Sequence, residues 1–152
     1  MLDLLRPLID AARGLDLSRP AAARAELERR FDPQGPAAAG LAEGLIAAYR
    51  AGQIANRGDW PVRYSRLSKA LPETEGHSID VVVMNGAGPR HRHPGGELDF
   101  CVALEGAPTF DGQPPGWVVY GPESVHVPTV AGGTMLVVYL LPGGQIDFSP
   151  AG

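Results

Sequence analysis

The chain has 152 residues, the size of one ordinary domain with at most an accessory segment. Its 13 basic and 17 acidic residues give a formal net charge of −4 with no block of like charge, which argues against nucleic acid or an anionic membrane as a partner. A single cysteine, Cys101, excludes an internal disulfide and a cysteine-based zinc knuckle. No stretch is apolar enough for a signal peptide or a membrane span, so we expect a cytoplasmic protein without membrane contact.

Residues 1–57 predict helices. They are rich in Ala, Leu and Arg and poor in β-branched residues, which favours helix. Leu4, Leu8 and Ala12 recur near a 3.6-residue period, and the stretch DPQGP at residues 32–36 interrupts the pattern. We expect two or three short helices whose apolar stripes pack on the rest of the chain or mediate a dimer.

Residues 58–152 predict a mainly β domain. Short runs rich in Val, Ile, Tyr and Phe alternate with Gly/Pro clusters, which is typical of strands joined by turns. About seven strands with frequent turns indicate a β-barrel or sandwich. The runs are residues 62–67, 79–85, 98–104, 108–110, 117–120, 135–141 and 145–148.

The stretch PRHRHPGGELDF predicts a metal site. His91 and His93 are two residues apart, so in an extended strand both imidazoles leave the same face. Glu97 begins the next strand after a Gly-Gly turn, and His126 follows another strand and turn. Three imidazoles and one carboxylate suit a divalent transition metal, namely Fe, Mn, Co, Ni or Zn, with open coordination positions. His77, in the turn-like ETEGHS, is interpreted as a histidine without a functional role.

The histidine pattern resembles the two-part signature of the cupins, small β-barrels that hold a metal between His and Glu side chains. The first part, His-x-His-x-x-x-Glu, is formed here by His91, His93 and Glu97, and the second by Gly116, Pro122 and His126. Two positions depart from the pattern. Leu104 replaces a glycine, with Gly106 two residues further on, and His126 sits one residue nearer its proline than usual. The resemblance implies a cupin-like β-barrel, or double-stranded β-helix, behind the short α-helical N-terminal segment.

Three longer stretches resemble the 4-hydroxylaminobenzoate lyases of bacterial nitrobenzoate degradation: HRHPGGELDF, FDGQPPGWVVYGPESVHVPTVAGG and VVYLLPGGQIDF. The similarity spans about residues 59–148. It implies that 4-hydroxylaminobenzoate and water are converted to 3,4-dihydroxybenzoate and ammonia, and it implies a homodimer. The chain has neither a dinucleotide fingerprint nor a phosphate loop, so no nucleotide cofactor is expected.

The implied reaction assigns roles to further residues. If Glu97 faces the barrel interior, strand alternation turns Asp99 and Cys101 inward and Leu98 and Phe100 outward. Asp99 is then a candidate general acid or base, with equal weight given to a role in orienting a metal-bound histidine. A carboxylate such as Glu97 is a candidate for activating water. Cys101 is interpreted as a packed residue.

An aromatic acid needs an apolar slot with a cation at one end. Trp117 and Tyr139 are candidate walls, although barrel core is the favoured interpretation of any single aromatic, and Arg66 is a candidate clamp for the carboxylate. Two other functions stay open at this point. One is a metal-dependent dioxygenase or isomerase acting on a small aromatic or sugar-like substrate, and the other is a non-catalytic ligand-binding module.

Overall fold

The structure of the protein, a computed structural model, describes residues 1–149. Three helices come first: α1 (Leu2–Ala11), α2 (Pro20–Arg30) and α3 (Pro36–Arg50). Both α2 and α3 begin at a proline, whose fixed φ and missing N–H suit the first helical turn. The short helical segment predicted from composition is confirmed, and the predicted break at residues 32–36 ends where α3 begins.

Seven antiparallel strands follow and form two sheets, which confirms the mainly β prediction. The larger sheet has the order β1-β2-β7-β4-β5, and the smaller pairs β3 with β6. The strands are β1 (Val62–Ser68), β2 (His77–Met84), β3 (His91–His93), β4 (Glu97–Phe110), β5 (Gly116–Tyr120), β6 (Ser124–His126) and β7 (Val130–Pro142).

Three strand predictions need correction. The runs at residues 98–104 and 108–110 belong to one strand, β4, which stays paired with β7 across two register shifts. Gly106 lies between those shifts with φ +72°, and a Cβ there would be 2.6 Å from Gly132 O, so only glycine fits. Residues 145–148 do not form a strand, since Asp147 makes only an isolated bridge to Arg92. Strand β6 is three residues long, too short to stand out in the sequence.

The larger sheet carries a different apolar cluster on each face. On β4, Leu98 and Phe100 join the side chains of the three helices in one cluster, whereas Cys101 belongs to a second cluster on the opposite face. The predicted alternation along β4 is therefore confirmed. The helices cover the outer face of the sheet, and the inner face turns toward the small β3-β6 sheet and leaves a cavity.

Two further observations bear on the predicted segments. Among residues 1–149, no helix has the length and apolar character needed to cross a membrane. The predicted barrel segment 58–152 includes residues 150–152, which lie outside the described residues.

Candidate metal centre and cavity

The β3-β6 pair brings the three predicted histidines together. His91 lies opposite His126 in the register, and His93 leaves the same face of β3 as His91. The turn after β3 depends on Gly96, which has φ +86° and whose Cβ would be 2.7 Å from Tyr120 O. This turn starts β4 at Glu97, beside the histidines.

The three histidine Nε2 atoms form a tight triangle. The His91–His93, His93–His126 and His126–His91 distances are each 2.9 Å. The Glu97 Oε2 atom lies 3.2 Å from His93 Nε2 and 3.8 Å from His126 Nε2. The shorter spacing between proline and histidine in this chain therefore does not keep His126 from the cluster, and the four predicted ligands are neighbours.

Hydrogen bonds on the far side of the rings set the tautomers. His91 Nδ1 donates to Pro89 O at 2.9 Å, and His126 Nδ1 donates to Asp111 Oδ2 at 2.7 Å. Because both acceptors are oxygens, each Nδ1 carries a proton, so in the neutral imidazoles the lone pair is on Nε2. In that form the two Nε2 lone pairs point at each other across 2.9 Å, and a cation bound by both would remove their repulsion.

The triangle fits one transition-metal ion. Zinc-type metal–nitrogen bonds are about 2.1 Å long, and three nitrogens at that distance with angles near 90° are about 3 Å apart. The observed spacing of 2.9 Å would therefore allow all three imidazoles to bind the same ion. Glu97 would be a further ligand, because its Oε2 lies 3.2 Å from His93 Nε2.

Asp111 supports the site and was not singled out in the sequence. Besides the His126 ring it accepts hydrogen bonds from the Tyr120 hydroxyl and, at 2.8 Å, from Thr129 N. Burial acts to raise the pKa of Asp111, but these three hydrogen bonds lower it below its ordinary value. The sequence marks Asp111 only as part of a turn, in FDGQPPG, because nothing local shows that this turn folds back under His126.

Glu97 and Asp99 lie side by side in a buried position. Glu97 is 4% exposed and Asp99 1%, and neither carboxyl oxygen of Asp99 has a hydrogen-bond partner in the protein. Burial and the neighbouring Glu97 charge raise the pKa of Asp99 well above its ordinary value. Burial also acts to raise the pKa of Glu97, but the hydrogen bond and charge of His93 lower it overall. Burial raises the pKa of Cys101, in keeping with a packed residue.

A cavity of about 500 Å³ adjoins the histidines, within the size range of small-molecule sites. Its polar lining groups include both partners of the acid pair, Glu97 and Asp99, with His91, His126 and Tyr139. The remaining lining is largely apolar. It includes Val62, Tyr64, Val82, Met84, Phe110, Pro128, Val137, Ile146 and Phe148.

Of the three predicted substrate-binding residues, Tyr139 lines this cavity and the other two do not. Trp117 lies opposite Phe100 on the helix-facing side of the sheet, fully buried, and its Nε1 donates to Phe31 O at 3.0 Å. It is a core residue because of its position in the strand alternation. Arg66 forms a bidentate pair with Asp80, at 3.1 and 3.3 Å, and does not line the cavity.

Comparison with known families identifies the family of this chain. The family model described as PnbB, 4-hydroxylaminobenzoate lyase, matches residues 8–148, nearly the whole chain. The protein therefore belongs to the 4-hydroxylaminobenzoate lyase family. The His-x-His-x-x-x-Glu motif that resembles the cupin signature lies on β3 and β4.

Two curated relatives carry the name 4-hydroxylaminobenzoate lyase. The protein from Pseudomonas putida is 29% identical over 89 residues, which cover 56% of this chain and 51% of the relative. The protein from Nocardioides sp. is 36% identical over 95 residues, which cover 57% of this chain and 56% of the relative. The chain thus spans about half the length of the curated relatives it matches. Among solved structures, an RmlC-like cupin protein from Ralstonia eutropha has a TM-score of 0.45 at 17% identity, covering 61% of this chain and 66% of its own.

Proposed function

We propose that this protein is a metal-dependent lyase that converts 4-hydroxylaminobenzoate and water to 3,4-dihydroxybenzoate and ammonia. The observation that carries the proposal is the triangle of Nε2 atoms beside an apolar cavity. The family to which the chain belongs supports the choice of substrate. Substrate plus water has the same atoms as product plus ammonia, so the reaction needs no external oxidant or reductant.

The metal ligands would be His91, His93, His126 and Glu97. A divalent ion at this position would supply Lewis acidity to the oxygen that leaves nitrogen. The metal would be Fe, Mn, Co, Ni or Zn, because imidazole and carboxylate ligands suit all five.

The protein's own groups would handle the protons and the water. Asp99 lines the cavity with both carboxyl oxygens free of protein partners, so it can hydrogen-bond the hydroxylamino group and exchange a proton with the departing oxygen. Glu97, next to it, would hold water for attack on the ring. One water would add at the carbon beside the C–N bond as the N–O bond breaks and its oxygen leaves as water, and a second would replace the nitrogen, which leaves as ammonia, so that one water is consumed overall. Tyr139 and the apolar lining would enclose the ring and exclude bulk water.

The proposal is tested by replacing one ligand and one unrelated histidine. The His93→Ala variant should purify with little metal and should not convert 4-hydroxylaminobenzoate, because His93 Nε2 contacts both other imidazoles and Glu97. The His77→Gln variant is the matched control, since His77 is buried but bonded only to nearby backbone, at Thr74 O. It should keep wild-type metal content, measured by elemental analysis. Wild-type metal content in the His93 variant would contradict the ligand assignment.

A further inference from the structure

Within residues 1–149, the lining of the cavity carries carboxyl groups but no Lys or Arg. The carboxyl groups are those of Asp59, Glu97 and Asp99, and two imidazoles, His91 and His126, lie beside them. Arg66 shares a strand face with Val62 and Tyr64, but its guanidinium is paired bidentately with Asp80. A benzoate carboxylate inside this cavity would meet no basic side chain to compensate for the loss of water.

The two ends of the cavity differ in exposure. Tyr64 on β1 is 48% exposed and forms the open rim at one end of the cavity. Glu97 and Asp99 on β4 are almost fully buried. In the sheet order, β2 and β7 lie between β1 and β4, a separation of about 14 Å at the usual strand spacing. The cavity therefore runs from an open aromatic rim to a closed acidic end.

The closed end carries a buried carboxyl group whose oxygens lack partners in the protein. Both oxygens of Asp99 are buried without a hydrogen-bond partner, whereas Oε2 of Glu97 lies 3.2 Å from His93 Nε2. An aryl hydroxylamine offers N–H and O–H donors as well as an acceptor oxygen, so it can pair with both Asp99 oxygens whether or not the carboxyl group carries a proton. A carboxylate offers acceptors only and leaves at least one Asp99 oxygen unpaired, which is costly in a buried position.

From these observations we infer that the hydroxylamino group of the substrate enters first and lies against Asp99 and Glu97, while the group para to it points toward the open rim at Tyr64. The inference rests on the proposed function and narrows its substrate class. The enzyme should act on para-substituted aryl hydroxylamines whether or not the para group is charged, because the described lining has no basic residue that selects a carboxylate.

The test compares two substrates of nearly equal shape, 4-hydroxylaminobenzoate and 4-hydroxylaminobenzamide, with the metal-loaded wild-type enzyme. Ammonia release should give kcat/KM values within about threefold of each other. A carboxylate bound by a basic side chain, or bound directly to the metal in the reverse orientation, would instead make the amide at least about a hundredfold worse.

The outcomes separate the inference from the function. Turnover of the benzoate with a hundredfold or greater loss for the amide would overturn the inference and leave the proposed function intact. Turnover of neither compound would contradict the proposed function and the inference with it. Similar turnover of both would support the two together.

Discussion

At the level of single residues, the site combines groups that the sequence spacing predicts with groups that it does not. The two-residue separation of His91 and His93 fixes their common face, and the turn at Gly96 brings Glu97, the first residue of β4, beside them although β3 and β4 belong to different sheets. Asp111 could not be predicted, because its contact with His126 spans 15 residues and depends on how a turn folds. Residues that support a metal ligand leave a weaker sequence signal than the ligand itself.

Asp111 provides a prediction about metal affinity. The Asp111→Asn variant keeps the shape of the side chain. It accepts weaker hydrogen bonds from His126 Nδ1 and from the Tyr120 hydroxyl, because the amide carries no negative charge. Loss of such support for a ligand usually costs about 10- to 100-fold in metal affinity. Competition with a chelator should show that the dissociation constant of the metal rises by that factor. The His93→Ala variant is the reference for a site that no longer holds metal. Unchanged affinity would mean that Asp111 does not orient His126.

Asp99 provides a prediction about turnover. The Asp99→Asn variant cannot exchange a proton at this position, while the histidine triangle stays intact. We expect wild-type metal content and a fall in kcat of about 10²- to 10⁴-fold, the usual contribution of a positioned acid or base. Equal kcat in the variant and the wild type would remove Asp99 from the mechanism. Loss of metal together with activity would instead favour the role of orienting a ligand.

At the level of elements, strand alternation and cross-strand pairing decide which face of the sheet each side chain takes. Alternation predicts Asp99 and Cys101 on the inner face of β4, as observed. Trp117 on β5 lies opposite Phe100 and faces the helices, which agrees with barrel core as the favoured interpretation of a single aromatic and not with a wall of the substrate slot. The Trp117 ring packs edge-on against Phe31 and Phe100, with centroids 6.4 and 5.1 Å away. Which face an aromatic takes depends on cross-strand register, which a single strand does not reveal.

The start of β2 provides a prediction about pH. Burial lowers the pKa of His77 below 6.5, against weaker opposing effects of the Thr74 and Glu75 backbone and the Glu75 charge. Below about pH 6.5 the unfolded chain takes up a proton at this position before the folded protein does, so stability falls as the pH decreases. Urea unfolding at pH 7 and pH 5.5 should show that the free energy of unfolding falls less between these pH values in the His77→Gln variant than in the wild type. An equal loss would exclude His77 as a contributor.

At the level of the whole molecule, the helices complete the core of the barrel. Their apolar side chains share one buried cluster with the outer face of the five-stranded sheet, so removing them would expose that face to water. Composition predicted the helices, but it left open whether they pack on the barrel or on a second protomer. The homodimer and the cytoplasmic location stay predictions.

The central proposal is that the metal-loaded protein converts 4-hydroxylaminobenzoate and water to 3,4-dihydroxybenzoate and ammonia without an external oxidant or reductant. The most direct test is to mix the metal-analysed wild-type protein with 4-hydroxylaminobenzoate under strictly anaerobic conditions and to quantify 3,4-dihydroxybenzoate and ammonia. We predict one of each per substrate consumed, and none after the metal is removed by chelation. Conversion that requires oxygen, or no conversion by fully metallated protein, would contradict the account and favour a dioxygenase or a binding module.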